Sequence, residues 1–278
     1  AMRTAFSDRR RFESWLDVEV ALARAEERVG VIPASVASRI ADAAKIENLD
    51  LAAMKAEYER VGFPILPLVH QLAKACDPES ARWVHWGATT QDIVDTGLVL
   101  QMREGFGFLG QQLDSVIESV AALCRVHRDT VMAGRTFQQQ AAPITFGYKA
   151  AVWLDELLRH RERLTELKRR VLVVQFGGAV GTLATLADRG TAVVRALAEE
   201  LGLGEPRIAW HTARDGWAEV FFWLALVGAT LGKIASEVAM LMRTEVNEVR
   251  EPYRPGRGGS STMPQTRNPI ACPIIIAI

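Results

Sequence analysis

The sequence carries no excess charge of either sign and very little cysteine. Its 278 residues include 33 Lys and Arg and 33 Asp and Glu, so the formal net charge is zero. Proteins that bind nucleic acids usually carry a basic surplus, so the balance argues against that class of partner. The three cysteines, Cys76, Cys124 and Cys272, lie far apart and match no metal-binding spacing. So few cysteines, in an odd number, fit a reducing cytoplasmic compartment.

Targeting, membrane and metal-binding motifs are also missing from the sequence. The first residues contain no basic segment followed by an apolar one, which a secretory signal requires. The most hydrophobic run, VFFWLALVGATLG from Val220, lies between Glu219 and Lys233. It is too short to span a bilayer and predicts a buried helix. Because no HExxH, paired CxxC or acidic cluster occurs, we expect neither a metal nor a cofactor.

Apolar residues recur with a helical period along most of the chain. The spacing predicts helices over residues 9–29, 34–45, 49–60, 91–127, 146–171 and 215–249. The segment 91–127 would form a rod on the order of 50 Å long. β-Branched alternation is scarce, and VLVVQF from Val171 is the only fair candidate for a strand. The pattern therefore predicts an all-α fold whose long helices lie side by side in a bundle.

Two segments that superficially suggest a ligand site have simpler interpretations. In RHRERLTELKRR (159–170), Glu162 and Glu166 alternate with arginines at helical spacing, which is typical of a solvated helix face. FGGAVGT (176–182) lacks the GxGxxG spacing, and no βαβ pattern surrounds it. We predict a tight turn between helices there.

GGSSTMPQTRNP, residues 258–269, is the least generic stretch of the chain. Its glycines permit a mobile or sharply turned loop. Asn268 and Pro269 make a good N-cap and first position for a helix that begins near Ile270. Free N–H groups at a helix N-terminus, together with the planar cation of Arg267, suit a carboxylate. The alternative is an ordinary Gly/Ser loop that caps a helix.

Three segments together resemble the fumarase/aspartase superfamily, which includes adenylosuccinate lyase and argininosuccinate lyase. GSSTMPQTRNP (259–269) is similar to the GSSxMPxKxNP signature, HWGATTQDIVDTG (85–97) to the first substrate segment and GRTFQQQAAPITFGYK (134–149) to the second. Their order and spacing match, and the resemblance covers essentially the whole chain. FSDRRRFESWLDVEVALARAE (6–26), WHTARDGWAE (210–219) and TEVNEVREP (244–252) are most similar to the cycloisomerase branch.

The resemblance implies three all-α domains, of which the middle one is a five-helix bundle. Four copies of that bundle form a homotetramer, and each active site takes segments from three subunits. We therefore expect an N-terminal helical domain over residues 1–90 and an incomplete central helical-bundle domain over residues 91–278. The C-terminal domain is expected to be absent, because the sequence stops inside the apolar run IACPIIIAI. The implied ligand is a small polycarboxylate, with no nucleic acid or membrane as a partner.

The branch resembled here closes a lactone. An internal carboxylate adds across a double bond of 3-carboxy-cis,cis-muconate, and a proton reaches the neighbouring carbon. The related lyases remove a proton beside a carboxylate, so such a site needs cations and N–H donors. Ser260 matches the catalytic serine of the mobile loop. The alternatives are an adenylosuccinate-type lyase that releases fumarate and an inactive oligomeric relative.

The resemblance also assigns the remaining site residues. Candidate carboxylate-binding groups are Thr89, Thr90, Gln91, Arg214, Arg267 and Asn268, and His211 is a further candidate polar group on the substrate side. The candidate catalytic groups besides Ser260 are Gln140 and His70. Gln140 stands where the second segment often has histidine, and its amide orients a carboxylate without being able to donate a proton as an acid. His70 lies on an apolar helix, where a histidine is usually a core or interface residue.

Thr266 is the main departure from the signature, which has lysine at that position. The resemblance gives that lysine the task of stabilising carboxylate charge in the transition state, which threonine cannot do. Arg267 is one residue away and would replace it only after a shift of register. Pro273, which we expect to kink or stop the next helix, also favours the inactive relative.

Overall fold

The computed structural model of the protein describes residues 1–252 and 258–277. These residues form ten α-helices and one two-stranded sheet. The helices are α1 (Met2–Ala5), α2 (Asp8–Val29), α3 (Val36–Ala43), α4 (Leu51–Val61), α5 (Ile65–Ala75), α6 (Thr90–Val126), α7 (Phe146–Val171), α8 (Gly190–Leu201), α9 (Asp215–Leu241) and α10 (Ala271–Ala277). The strands are β1 (Val131–Thr136) and β2 (Gln139–Thr145). Short 3-10 helices cover Ile46–Asn48, Ser80–Trp83 and Ala184–Arg189.

The long helices begin and end close to the predicted positions, with one exception. The Ser7 side chain caps α2 by accepting the N–H of Arg10, and α2 stops at Gly30, whose φ of 78° favours glycine. The helix α7 has the predicted bounds. By contrast, α9 ends at Leu241, well before residue 249, because the chain turns at residues 243–247 and Asn247 takes a φ of 50°.

Over the residues that the structure describes, the fold is all-α as predicted, apart from one small hairpin. β1 and β2 pair in antiparallel fashion, with Thr136 opposite Gln139. The two turn residues, Phe137 and Gln138, have φ angles of 48° and 62°, which suits a tight hairpin turn. The candidate strand from Val171 onward does not form, and that segment makes an isolated bridge between Val173 and Gly204.

Residues 1–109 and 166–217 form the first of two compact units. The helix α2 is buried on two sides within it. One side contributes Trp15 and Leu16 to a core shared with α3, α5 and the start of α6. The other side packs Leu22 against α8 and Phe176. This double packing supports the residues around α6 that carry the candidate site.

Residues 110–165 and 218–278 form the second unit. Here α6 and α7 are linked by the ion pair between Asp114 Oδ1 and Arg161 Nε, at 2.6 Å. The helices α7 and α9 are joined in the interior, where Trp223 Nε1 donates to the carbonyl of His160 at 3.1 Å. The division into domains at residue 90 remains a prediction, since a compact unit need not coincide with a domain of the family.

The helix α9 exposes an apolar face, so the prediction that it is buried is wrong for the single chain. Phe221 is 68% exposed and Phe222 is 64% exposed. The helix extends well beyond the apolar run that was judged too short to span a bilayer, and by length and composition its 27 residues would suffice to cross a membrane. Helices of soluble bundles meet the same criterion, so this is weak evidence for a membrane. An apolar face of this kind more commonly marks a surface covered by another protein chain.

Candidate active site

Asp92 is the centre of a buried polar cluster in the first unit. Oδ1 accepts hydrogen bonds from Gln175 Nε2 at 3.0 Å, Gly177 N at 3.0 Å and His211 Nε2 at 2.7 Å. Oδ2 accepts from the backbone N–H groups of Thr89 and Gly178, both at 3.0 Å. The side chain of Asp92 is buried. These five donors replace the water that an ionised carboxylate loses on burial.

The same carboxylate fixes the start of α6. Asp92 is the third residue of the helix and reaches back to the N–H of Thr89, the arrangement of a capping box. Thr89, Thr90 and Gln91 therefore lie at the positive end of a 37-residue helix. All three residues are half-buried, and the hydroxyl groups of Thr89 and Thr90 suit the oxygens of a carboxylate ligand.

The glycine-rich segment predicted to be a tight turn supplies two of the five donors to Asp92. Gly178 has a φ of 71°. A Cβ atom on Gly177 would lie 2.7 Å from Ala209 Cβ and 2.9 Å from His211 Cε1. The absence of a side chain at residue 177 therefore allows the backbone and the imidazole of His211 to approach Asp92 together.

Arg214 and Asp95 form the second part of the cluster. Nη1 of Arg214 lies 3.0 Å and 2.9 Å from the two carboxylate oxygens of Asp95. Gln91 Nε2 donates to Oδ1 of the same carboxylate at 2.8 Å. Burial raises the pKa of Asp95, while the hydrogen bonds from Gln91 and Arg214 oppose the shift. The guanidinium of Arg214 also stands 5.9 Å from the ring centroid of Trp210 and remains partly exposed.

His211 is held in one orientation by Asp92. A carboxylate only accepts hydrogen bonds, so Nε2 carries the proton in the 2.7 Å contact. In the neutral ring, Nδ1 is then the acceptor. A histidine oriented by a buried carboxylate is a common proton-transfer group. The sequence indicated His211 as a candidate, but Asp92 was not singled out. An acidic residue three positions after a threonine N-cap is a recognisable signal of a capping box.

His85 and Glu19 form another buried pair that the sequence did not indicate. Nδ1 of His85 lies 2.6 Å from Oε1 of Glu19 on α2. Burial opposes the charged form of His85, but the charge of Glu19 and its hydrogen bond outweigh this and raise the pKa of His85. His85 has a φ of 61° and begins the turn that leads to Thr89. The pair therefore anchors a strained turn beside the start of α6.

In the second unit, Ser260 lies in a folded loop. Its Oγ accepts hydrogen bonds from the N–H groups of Thr262 at 3.3 Å and Met263 at 3.0 Å. Thr266 Oγ1 donates to the carbonyl of Met263 at 2.9 Å and accepts from Asn268 Nδ2 at 3.3 Å. The threonine that replaces the signature lysine is thus an internal support of this loop.

The helix after this loop differs from the prediction. Asn268 donates to the carbonyl of Gly258 at 3.1 Å instead of capping the helix. The N–H groups of Ile270, Ala271 and Cys272 bond to the carboxylate of Glu251 at 3.2, 2.9 and 3.2 Å. Burial opposes ionisation of Glu251, but these hydrogen bonds dominate and lower its pKa. The donors expected to be free for a ligand are therefore already engaged.

Pro273 does not stop this helix. Since α10 begins at Ala271, Pro273 falls in its first turn, where a missing N–H breaks no helical hydrogen bond. This removes one argument for an inactive relative.

The remaining predicted residues, His70, Gln140 and Arg267, lie at the surface of the single chain. His70 Nδ1 is 2.8 Å from Glu57 Oε1 on the exposed side of α5. Gln140 is exposed on β2, opposite Arg135. Arg267 is exposed and makes no hydrogen bond or ion pair with another residue that the structure describes. The structure thus gathers Thr89, Thr90, Gln91 and Arg214 in the first unit and Ser260 and Asn268 in the second.

No group of three or more metal-binding side chains occurs within residues 1–252 and 258–277. The side chains of the Asp92 cluster are instead hydrogen-bonded to one another and to the backbone, and their chemistry is that of carboxylate recognition and proton transfer.

Known proteins match this chain over nearly its whole length. The sequence model of a family described as Lyase matches residues 1–278. The 3-carboxy-cis,cis-muconate cycloisomerase of Pseudomonas aeruginosa is 48% identical over 279 residues, which cover 99% of this chain and 61% of that protein. Trans-aconitate decarboxylase 1 of Mycosarcoma maydis is 44% identical over 276 residues, covering 99% and 56% respectively.

The fold matches as well. The crystal structure of 3-carboxy-cis,cis-muconate lactonizing enzyme from Pseudomonas putida superposes with a TM-score of 0.92 at 45% identity, covering 100% of this chain and 62% of that one. The chain therefore spans 56 to 62% of the length of these proteins. With the family match over every residue, the chain belongs to the fumarase/aspartase superfamily of lyases.

Proposed function

We propose that the protein is a cycloisomerase that converts 3-carboxy-cis,cis-muconate to a carboxymuconolactone in protocatechuate degradation. The observation that carries the proposal is the Asp92 cluster, which joins Arg214 and the N-terminus of α6 to an oriented histidine. Relatives named for this reaction match nearly the whole chain at 43 to 48% identity. The cluster supports a polycarboxylate ligand, and the relatives support the choice of a muconate.

In the proposed reaction, an oxygen of one substrate carboxylate forms a bond to an alkene carbon. The electron pair of that double bond moves to the neighbouring carbon, where the adjacent carboxylate accepts the charge, and that carbon then takes a proton. Arg214 and the first turn of α6 would hold substrate carboxylates as their charge grows. Ser260, the matching base of the lyases, would here deliver the proton, since the same group serves both directions of a proton transfer.

The cluster around Asp92 would position these groups and would not itself react. Its carboxylate is fully engaged by five donors, so it serves to orient His211 and the turn at Thr89. Gln140 would orient carboxylate oxygens, and Arg267 would add positive charge. Asn268, whose amide group donates to Gly258 and Thr266, would keep the Ser260 loop in shape beside the substrate. His70 stays a proposed proton-transfer group, with its imidazole paired with Glu57 in this structure.

The same proposal includes a cytoplasmic homotetramer whose active sites combine segments of several subunits. The exposed apolar face of α9, with Phe221 and Phe222, supports burial against other copies of the chain. No step of the proposed reaction needs a cofactor, a nucleic acid or a membrane.

Ultraviolet absorbance tests this function. With 3-carboxy-cis,cis-muconate, the protein should remove the absorbance band of the conjugated diene, because lactone formation destroys the conjugation. Ser260→Ala should abolish this turnover, whereas Ser261→Ala, the change at the adjacent serine, should retain it. Release of fumarate from adenylosuccinate with an unchanged diene band would favour the lyase instead. No turnover of either compound would favour the inactive relative.

A further inference from the structure

A concave surface in the first unit is lined by residues that the proposed reaction does not use. It has a volume of about 530 Å³ and is bordered by the end of α7, residues 205–210 and the start of α9. We call it the Arg207 cavity; the lining residues used below are Arg169, Val171, Arg207, Ile208, Trp210 and Trp217. Its volume is in the range of sites for small organic molecules.

The walls of the Arg207 cavity are apolar and aromatic. The rings of Trp210 and Trp217 meet edge to face, with centroids 5.8 Å apart. Trp210 is held in place, since its backbone N–H donates to Gln175 Oε1 at 2.5 Å and its ring N–H donates to the carbonyl of Val174 at 2.9 Å. The side chain of Ile208 is 77% exposed. A fixed indole beside an open aliphatic wall favours a flat, apolar ring as a ligand.

The rim of the cavity carries positive charge that the protein does not neutralise. Arg169 and Arg207 make no hydrogen bond or ion pair with any residue in the described part of the chain. Glu205, a carboxylate of the lining, is already paired with Arg195 at 3.2 Å, and Asp215 is the other acidic lining residue. The N-terminus of α9 also lies at this rim, and its helix dipole adds a partial positive charge. Two unpaired guanidinium groups favour an anionic group on the ligand.

We propose that the Arg207 cavity binds a small aromatic carboxylate. The ring of the ligand packs against Trp210 and Trp217, and its carboxylate lies between Arg169 and Arg207. This inference does not rest on the proposed reaction. The occupied cavity would nevertheless be close to the candidate active site, because Gln175 hydrogen-bonds both Trp210 and Asp92.

Titration calorimetry with benzoate as the probe tests the proposal. Benzoate should bind saturably, and benzamide, which has nearly the same shape without the charge, should bind roughly tenfold more weakly or worse. Arg207→Gln and Arg169→Gln should each weaken benzoate by about the same factor, and Trp217→Leu should weaken it too. Arg11→Gln, a change at an exposed arginine on α2, is the control and should leave the affinity unchanged.

Because Arg169 and Arg207 are exposed, their variants should unfold at the same temperature as the wild type, which separates a loss of binding from a loss of structure. Failure of benzoate to bind would overturn the proposal. So would an unchanged affinity in both arginine variants, or inorganic phosphate that competes as strongly as benzoate, since that would indicate an anion site without a preference for a ring.

Discussion

Replacing Glu26 with glutamine should make the stability of the fold much less sensitive to pH. Glu26 lies on α2, is fully buried, and neither of its carboxylate oxygens has a hydrogen-bond partner among the described residues. Burial, and then the charge of nearby Glu19, raises the pKa of Glu26 from 4.5 to about 9. The group is therefore neutral in the folded protein at neutral pH and ionised in the unfolded chain.

The sign and size of the effect follow from these two pKa values. As pH rises above 4.5, the unfolded chain releases this proton while the folded protein keeps it up to about pH 9. Over this range the group lowers the free energy of unfolding by about 1.4 kcal/mol per pH unit, or by about 4 kcal/mol between pH 5 and pH 8. Glutamine does not titrate. The stability of the variant relative to the wild type should therefore rise by about that amount over the interval.

Urea unfolding at pH 5 and pH 8, at one protein concentration, measures this difference. Glu118→Gln is the matched control, because Glu118 is exposed on α6. We expect its effect to stay within about 0.5 kcal/mol at both pH values. If Glu26→Gln changed the free energy of unfolding equally at pH 5 and pH 8, a neutral buried Glu26 would be refuted.

Three further substitutions address the candidate site. Gly177→Ala should lower kcat about tenfold or more, because the new methyl group meets His211. Gly107→Ala, in open space on α6, should leave kcat unchanged. Equal kcat values for the two variants would contradict the packing argument. Arg214→Lys should lower kcat/KM about tenfold, since the single lysine nitrogen cannot replace both Nη1 on Asp95 and Nη2 on the His211 carbonyl; wild-type kcat/KM would contradict this role. Thr266→Lys should lower activity or leave it unchanged, because Thr266 supports the loop; a several-fold rise would show that Thr266 is a defect.

Local patterns were enough to predict most helices, because period and capping residues act over a few positions. They predicted α2 from Ser7 onward and gave the bounds of α7. They missed the hairpin, because Phe137 and Gln138 are not residues that usually mark a turn with positive φ. The burial predicted for α9 is not found within the single chain, because a helical period shows which side is apolar and not what covers it.

The candidate site was only partly predictable for a related reason. Thr89 to Gln91 and Arg214 were predicted from their resemblance to the family segments, and they remain predictions. Asp92 was not singled out, since its role depends on donors from Gly177 and Gly178, which are distant in sequence. The capping of α10 by Glu251 is likewise a contact between residues that no local motif connects.

The product formed in heavy water tests the central claim most directly. With 3-carboxy-cis,cis-muconate in D₂O, nuclear magnetic resonance should show a carboxymuconolactone with a single solvent-derived deuterium. The deuterium should be on the carbon adjacent to the one that forms the new bond to oxygen. The same incubation with Ser260→Ala should leave the muconate unchanged. A wild-type protein that leaves the muconate unchanged, or forms a lactone without deuterium at that carbon, would contradict the proposed function.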